Sequence, residues 1–444
     1  MDTHGEKTGI FAKKGLWIGI GVGVFIVVAF LLPTPQSLIE VLEEYGYVEK
    51  MIDWEIAGNI EEASQKTMIV LGIVPMAVIF FAVEALPIGA TGILMPVLAY
   101  FFGLLPFNMI GKTFAGDAPL FMLGVFALGG TVVEVGFHKR LAVWLLGWTK
   151  GFWVPMIVLC FSMSIVGSFM SAPAMCSFMV PVMMAVYYGS VKANSPEEKV
   201  IHDPALAKYL LFSLCFALNM GGPGTPSAGG RNVIMMGFFT DYGIPITYSG
   251  WMKYGWGLVP IGSAMLLLYM ATFFSKKIKT RDLTPGLQYI KDETRKMGKM
   301  SYAEYVTAIT LFIIVGLWIF GGEATGLGGP ALLALVVPVL FKSVKFENIL
   351  ERISFNAWFM YCGALTLGAL LKESGGALWL AKTFLHGLSQ VGMDKGYGLW
   401  VGMSGFSGLV TNFMSDAATV ALIGPIVVPM GIMTQVAGEP WAIG

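Results

Sequence analysis

The densest cluster of helix breakers in the chain is Gly221-Gly222-Pro223-Gly224-Thr225-Pro226, set inside an apolar segment running from about 209 to 240. Proline withholds an amide donor and glycine relaxes φ, so no continuous helix is expected here, and bare backbone stands beside the hydroxyls of Thr225 and Ser227. In lipid such freed backbone groups are costly, so the break must line a cavity or hold something. Close approach of neighbouring helices through glycine is the competing explanation.

Two more polar groups interrupt apolar sequence. One holds Ser168, Ser171, Ala172 and Pro173; the other holds Thr411, Asn412, Ser415, Asp416, Ala417 and Thr419. A serine in an apolar helix commonly bonds back to the preceding turn, so no single hydroxyl here makes a site. Asp416 differs, because a carboxylate at the centre of a span costs at least roughly 2.5–3.5 kcal/mol and is expected to face a cavity, a cation or a proton. Arg231, five residues after Pro226, leaves two readings open. With Asn232 it meets an anionic ligand, or it marks the end of a half-helix and snorkels to water.

Motifs of soluble enzymes fail on inspection. Gly111-Lys112-Thr113 resembles the end of a phosphate-binding loop, but Pro106 stands where the earlier glycine is needed. Gly402-Met403-Ser404-Gly405 would suit an intramembrane serine hydrolase using Ser404, yet His4, His138, His202 and His386 all fall in or beside predicted connections. No catalytic residue is assigned, and the chain is not expected to be an enzyme. Cys160, Cys176, Cys215 and Cys362 have no Cys-x-x-Cys spacing and read as packed residues, neither metal ligands nor disulfides. The 28 methionines read as adaptable packing.

The elements that position these residues must lie in a lipid bilayer. Of 444 residues, 56% are apolar and only 13% are Asp, Glu, Lys or Arg, where a soluble chain carries roughly a quarter. A net charge of zero gives no basic field for nucleic acid. Stretches free of these four residue types recur from 15–39 to 417–438, each long enough to be read as helix in a membrane. The first follows Lys13 and Lys14 but is too long for a signal peptide and lacks an Ala-x-Ala site, so it reads as a retained helix. Segment 34–66 carries eight acids against two lysines, and 276–300 carries eight basic residues against three acids. Basic loops stay in the cytoplasm, so the first is outside, the second inside and the N-terminus cytoplasmic.

Stretches 151–191 and 396–438 are too long for one helix, and each must turn back on itself, entering from opposite faces. They are related in sequence. Phe169-Met170-Ser171 recurs as Phe413-Met414-Ser415, with Pro181 and Pro425 ten residues after the serines, at an offset of 244. Upstream, Leu128-Gly129 pairs with Leu367-Gly368, and Glu134-x-Gly136 with Glu373-x-Gly375, at an offset of 239. An inverted repeat with broken apolar segments is a pattern secondary transporters use to build a site near the bilayer midplane.

Leu86-Pro87, Phe121-Met122-Leu123-Gly124 leading to Gly136-Phe137-His138-Lys139-Arg140, the two hairpin centres, and Gly221 to Pro226 with Asn232 together resemble the divalent anion/sodium symporter family, from about residue 85 onward. The resemblance implies an all-α polytopic membrane protein of the inner membrane, an inverted-repeat carrier with two re-entrant hairpins and broken helices. It also implies a homodimer, with a fixed scaffold and a transport part that moves as an elevator. The partners expected are a small anion such as a dicarboxylate or sulfate, sodium as coupling ion and the lipid bilayer, with no other cofactor. Sodium is expected at Gly167, Ser168, Ser171, Gly221, Gly222 and Gly224, and at Thr411, Ser415 and Asp416. The anion is expected at Ser171, Ala172, Pro173, Thr225, Pro226 and Arg231, and at Ser415, Asp416 and Ala417.

The family's Ser-Asn-Thr signature at each tip reads Ser171-Ala172-Pro173 and Ser415-Asp416-Ala417 here, and Arg231 replaces the usual proline. Both Asn amides and both Thr hydroxyls are gone, so an unusual anion specificity, or a coupling stoichiometry altered by Asp416, is expected. The alternative within transport is a cation/proton antiporter in which Asp416 exchanges a proton for sodium. The expected organisation is 1–14 cytoplasmic, 15–117 scaffold, and 118–240 a first transport half with hairpin 151–191 and broken helix 209–240. Then follow 241–352, scaffold with a cytoplasmic loop 276–304, and 353–444, a second transport half with hairpin 396–438. By the offset of 244, the partner of the broken helix would fall beyond Gly444, so the second half is expected to be incomplete and the chain part of a longer protein.

Overall fold

The computed structural model describes residues 14–170, 172–196, 201–244 and 246–434, and these contain helices and no strand. The chain opens with α1 (Lys14–Ile26), which continues as a π-turn over Val27–Leu31. The apolar stretch expected over 15–39 therefore stops at Leu31, because Pro33 and Pro35 follow and cannot continue a helix. The acid-rich segment that follows is itself helical, as α2 (Gln36–Glu44) and α3 (Tyr47–Asp53). Leu38, Val41 and Leu42 recur at helical spacing on α2 and are buried, which explains the helix in a segment so rich in charge.

From there the order of elements runs α4 (Ile60–Val83), α5 (Ile88–Phe101), α6 (Phe107–Ala115), α7 (Asp117–Glu134), α8 (Phe137–Leu146), α9 (Trp153–Phe169) and α10 (Ala172–Ala193). The broken pair α11 (Pro204–Met220) and α12 (Gly230–Asp241) follows, then the connector α13 (Tyr248–Gly255), α14 (Leu258–Phe273) and α15 (Thr284–Lys296). The first seven then recur in order as α16 (Tyr302–Phe320), α17 (Gly328–Leu340), α18 (Phe346–Arg352), α19 (Phe355–Glu373), α20 (Gly376–Ser389), α21 (Gly396–Val410) and α22 (Asp416–Thr434).

Backbone geometry repeats with the order. Gly136 and Gly375, 239 residues apart, turn the chain after Glu134 and Glu373 with φ of 79° and 75°. Gly103 and Lys342, also 239 apart, do the same after α5 and α17 with φ of 54° and 52°. A lysine held in the left-handed region is uncommon, and its match to a glycine points to a turn inherited from one ancestral unit. Glu134 and Glu373 both make ion pairs, with Arg352 at 2.8 Å and with Lys50.

Six helical segments among the described residues are long and apolar enough to cross a membrane: Lys14–Leu31, Ile60–Val83, Phe107–Glu134, Tyr248–Phe273, Tyr302–Phe320 and Asp416–Thr434. The pair Phe346–Arg352 and Phe355–Glu373, bent by 64°, makes a seventh if taken as one span. On α14, Leu258, Ile261, Met265 and Leu268 are exposed at helical spacing, as are Ile309, Phe312 and Ile313 on α16. Such stripes suit apolar surroundings and not water.

The chain divides into two compact units, one of Met1–Pro119, Ile234–Pro245 and Ser354–Gly444, the other of Leu120–Val233 and Ile246–Ile353. In the first, the core gathers around Ile73, Met76 and Phe80 of α4, with Leu38 and Leu42 of α2 packed among them. Leu42 and Tyr47 close over the turn at Gly375. Burial first, and then the Glu373 carboxylate and Tyr45, raise the Tyr47 phenol above its ordinary value. In the second unit α11 is the central helix, packed on α9, α10 and α14, with Leu210, Leu214 and Met163 in the core. Met175, Met179 and Met183 fill the space beside it. Cys176 and Cys215 meet there with their Sγ atoms 3.8 Å apart as free thiols.

The region expected as a loop over 276–304 contains α15. Leu287 of this helix is buried against the core of the second unit, and Gln288, Asp292, Arg295 and Lys296 are exposed. Asp203 fixes the approach to it, accepting from the amides of Lys279 at 2.8 Å and Thr280 at 2.9 Å. Arg140 closes the far end, donating to Glu304 Oε1 at 2.5 Å and to the carbonyl of Gly298 at 2.9 Å.

Candidate functional site

Helices break at all three expected places, two in the second unit and one in the first, and each unit is described by itself. In the second unit α11 ends at Met220, a 3-10 turn covers Pro226–Ala228, and α12 begins at Gly230. The neighbouring α9 ends where Met170 turns extended, at φ −135° and ψ 148°. Ser171 lies outside the described residues, Ala172 begins α10 and Pro173 follows in it.

Ser164 and Ser168 sit one turn apart on α9, and each hydroxyl reaches in two directions. They approach the carbonyls of Cys160 and Ser164 in their own helix, at 2.8 and 3.0 Å. Across the gap they reach the carbonyls of Ala217 and Gly221, at 2.7 and 2.9 Å. The back-bonding expected of membrane serines and a contact across the break thus coexist. The approach requires Gly221: a methyl group there would run into the Ser164 carbonyl and lie 2.8 Å from Ser168 N.

The freed carbonyls have donors. Asn232 Nδ2 donates to Gly222 O at 2.7 Å and Thr225 O at 2.8 Å, and Trp251 Nε1 donates to Pro223 O at 2.9 Å. Thr225 Oγ1 donates to the Ser168 carbonyl, closing the break onto α9. A buried hydroxyl chain continues from Thr225 through Ser227, 3.0 Å away, to Tyr248, 2.8 Å further, whose ring stacks on Trp318 at 5.1 Å. Neutral oxygens of Ser168, Gly221, Thr225 and Ser227 therefore gather at the break, linked to one another by hydrogen bonds, and neutral oxygen is a ligand type that hard cations accept. Close packing and a polar break are here one arrangement, because Gly221 provides the first and thereby holds the second together.

Arg231 lies in the first turn of α12, half-buried, with its guanidinium against Gly222 and Gly229. Arg231 thus marks the end of a half-helix and keeps its guanidinium beside the break, an arrangement that fits both of its readings. A cation at a helix N-terminus adds to the positive end of the dipole and makes the spot attractive to an anion.

In the first unit α21 ends at Val410, and α22 begins at Asp416. Thr411 and Asn412 donate back to the Gly408 carbonyl, at 3.0 and 2.6 Å, and Ser415 Oγ caps α22 by accepting from the Ala418 amide at 3.3 Å. Ser415 and Asp416 are exposed, Ala417 is half-buried, and Thr419 is buried with no hydrogen-bond partner for its hydroxyl. Asp416 thus stands at the positive end of a helix, which lowers the cost of its charge. Ser404, on α21, is also exposed.

Sequence reasoning missed Ser164, Tyr248 and Trp251. Ser164 was within reach, since it stands four residues before Ser168 and so shares its helix face. Tyr248 and Trp251 lie on a separate helix, and nothing local marks them. Asn232→Ala is expected to strip donors from two buried carbonyls, at about 1–3 kcal/mol for each group left unsatisfied. Thermal unfolding in detergent checks this, and an unchanged melting temperature would show that the break is held by other contacts.

The model of a family described as citrate transporter, CitMHS, matches residues 78–443. The sodium-dependent high-affinity dicarboxylate transporter 3 of Caenorhabditis elegans is 22% identical over 393 residues, covering 79% of this chain and 68% of that protein. The sodium-dependent dicarboxylate transporter SdcS of Staphylococcus aureus is 23% identical over 401 residues, 84% of this chain and 74% of the relative. Its counterpart in Staphylococcus saprophyticus is 22% identical over 406 residues, 85% and 75%. With a family match over most of its length, and helices without strands among the described residues, the chain belongs to the family described as citrate transporter, CitMHS, and to the divalent anion/sodium symporters, as a membrane carrier and not an enzyme.

Proposed function

We propose that this carrier imports a small, divalent anion, a dicarboxylate, sulfate or related organic anion, and draws the energy from sodium. The observation that carries the reading is the break between Met220 and Gly230, where neutral backbone and hydroxyl oxygens gather beside a helix N-terminus bearing Arg231. The names of its relatives, sodium-dependent dicarboxylate transporters, support the same substrate class and ion.

In this reading sodium sits among oxygens of Gly167, Ser168, Ser171, Gly221, Gly222 and Gly224, and the anion meets Ser171, Ala172, Pro173, Thr225, Pro226 and Arg231. A second sodium uses Thr411, Ser415 and Asp416. Asp416 repels a dianion, so sodium binds there before the anion does, at Ser415, Asp416 and Ala417. Alternating access follows an elevator-type movement within a homodimer, as in the family the sequence resembles. The basic segment 276–300 and the acidic 34–66 favour an inner-membrane orientation with the N-terminus cytoplasmic.

Thermal unfolding of the purified protein with candidate anions, in sodium and in potassium, tests coupling and substrate together. One anion is expected to stabilise only in sodium, by about 2.7 kcal/mol at a hundredfold excess over its Kd. Equal stabilisation in potassium would remove sodium coupling. Sodium–proton exchange in proteoliposomes without any anion would favour the antiporter.

A further inference from the structure

A groove of about 550 Å³ opens in the second unit, lined by Trp144, Leu145, Gly147, Trp148, Val158 and Lys291. Its walls belong to α8 and the turn after it, to α9 and to α15. The α15 wall is fixed in place. Leu283 N donates to the Gly151 carbonyl at 3.0 Å, Gly151 N donates to Thr284 Oγ1 at 2.9 Å, and Gly286 packs directly on the backbone of Val186.

The lining has an unusual composition for a protein surface. Both indoles are turned outward, Trp144 at 73% and Trp148 at 65% exposure, and the one charge among the six residues is the Lys291 ammonium. Tryptophan settles at the depth of lipid headgroups, and lysine reaches from an apolar wall towards phosphate. The surroundings have the same sign, since 276–300 carries eight basic residues against three acids and Lys150 stands exposed nearby in sequence. The volume lies within the range of small-ligand sites.

We propose that this groove binds one anionic phospholipid, with an acyl chain against Trp144, Trp148 and Val158 and the phosphate on Lys291. The lipid bridges the amphipathic α15 to α8 and α9, and the basic segment assigns it to the cytoplasmic leaflet. A zwitterionic lipid brings its own ammonium towards Lys291 and gains less. Free phosphate has no chain to fill the apolar part. The inference rests on the membrane reading and is independent of substrate and coupling ion.

Native mass spectrometry of the full chain in detergent, titrated with phosphatidylglycerol or phosphatidylcholine, tests it. Phosphatidylglycerol is expected to be retained about fivefold more strongly, the scale of one lysine–headgroup attraction. Lys291→Gln should erase the preference, Lys291→Arg should keep it, and Trp148→Ala should weaken both lipids. Any stabilisation by inorganic phosphate should be the same in Lys291→Gln as in the natural chain. Equal retention of the two lipids by the natural chain, a preference that survives Lys291→Gln, or a stabilisation by inorganic phosphate that Lys291→Gln removes would each overturn the proposal.

Discussion

Gly221→Ala is expected to reduce sodium-driven uptake at least about tenfold and to destabilise the protein by about 1–3 kcal/mol, the cost of forcing one extra methyl into a packed interior. The new Cβ has no free direction. It would meet the Ser164 carbonyl, the Gly167 carbonyl carbon at 2.8 Å and Ser168 N at 2.8 Å, all backbone atoms of one helix. Backbone cannot rotate away as a side chain does, so α9 and α11 must separate, and the cross-contacts of Ser164 and Ser168 lengthen with them. Gly316→Ala is the control: Gly316 is also helical, but an added methyl there meets nothing within 4 Å. Removing that glycine should leave uptake unchanged and the helix slightly stabilised. Uptake in proteoliposomes and melting in detergent, measured on both variants, check the pair. Normal uptake by a well-folded Gly221→Ala protein would mean that the close approach at this break is dispensable.

The second large effect is expected from Asp416→Asn, which should raise the sodium concentration for half-maximal uptake about tenfold, a loss of about 1.4 kcal/mol in ion binding. The folding cost should be small. Asp416 is exposed at the start of α22, where a carboxylate gains about 0.3–1 kcal/mol from the helix dipole, and asparagine keeps the shape without the charge. A large change in sodium response with little change in melting therefore isolates the carboxylate. The sodium-to-substrate ratio, measured from reversal potentials in proteoliposomes, should fall if Asp416 holds an ion of its own. Identical sodium dependence in the two proteins would limit Asp416 to a helix-terminus role.

Much of this architecture could be read from local sequence. The scarcity of charge dictated lipid, the breakers from Gly221 to Pro226 dictated an interrupted helix, and the offsets of 239 and 244 marked a repeat whose left-handed turns at Gly136 and Gly375 the fold reproduces. Each of these acts through its own backbone: a missing amide, a permitted φ, an uncovered side chain. The chain could therefore announce them without knowing its neighbours.

The donors that satisfy the break are another matter. Thr225 reaches Ser168 across 57 residues, Trp251 reaches Pro223 across 28, and Tyr248 reaches Ser227 across 21. Which donor meets which carbonyl depends on the helices packed side by side, and apolar helices of similar composition carry no local mark of their neighbours. The same holds for the seat of the Arg231 guanidinium over Gly222, and for the meeting of Cys176 with Cys215. Sequence by itself determined where the helices break. Tertiary packing decided what fills the break, because hydrogen-bond partners in a membrane interior are selected by proximity.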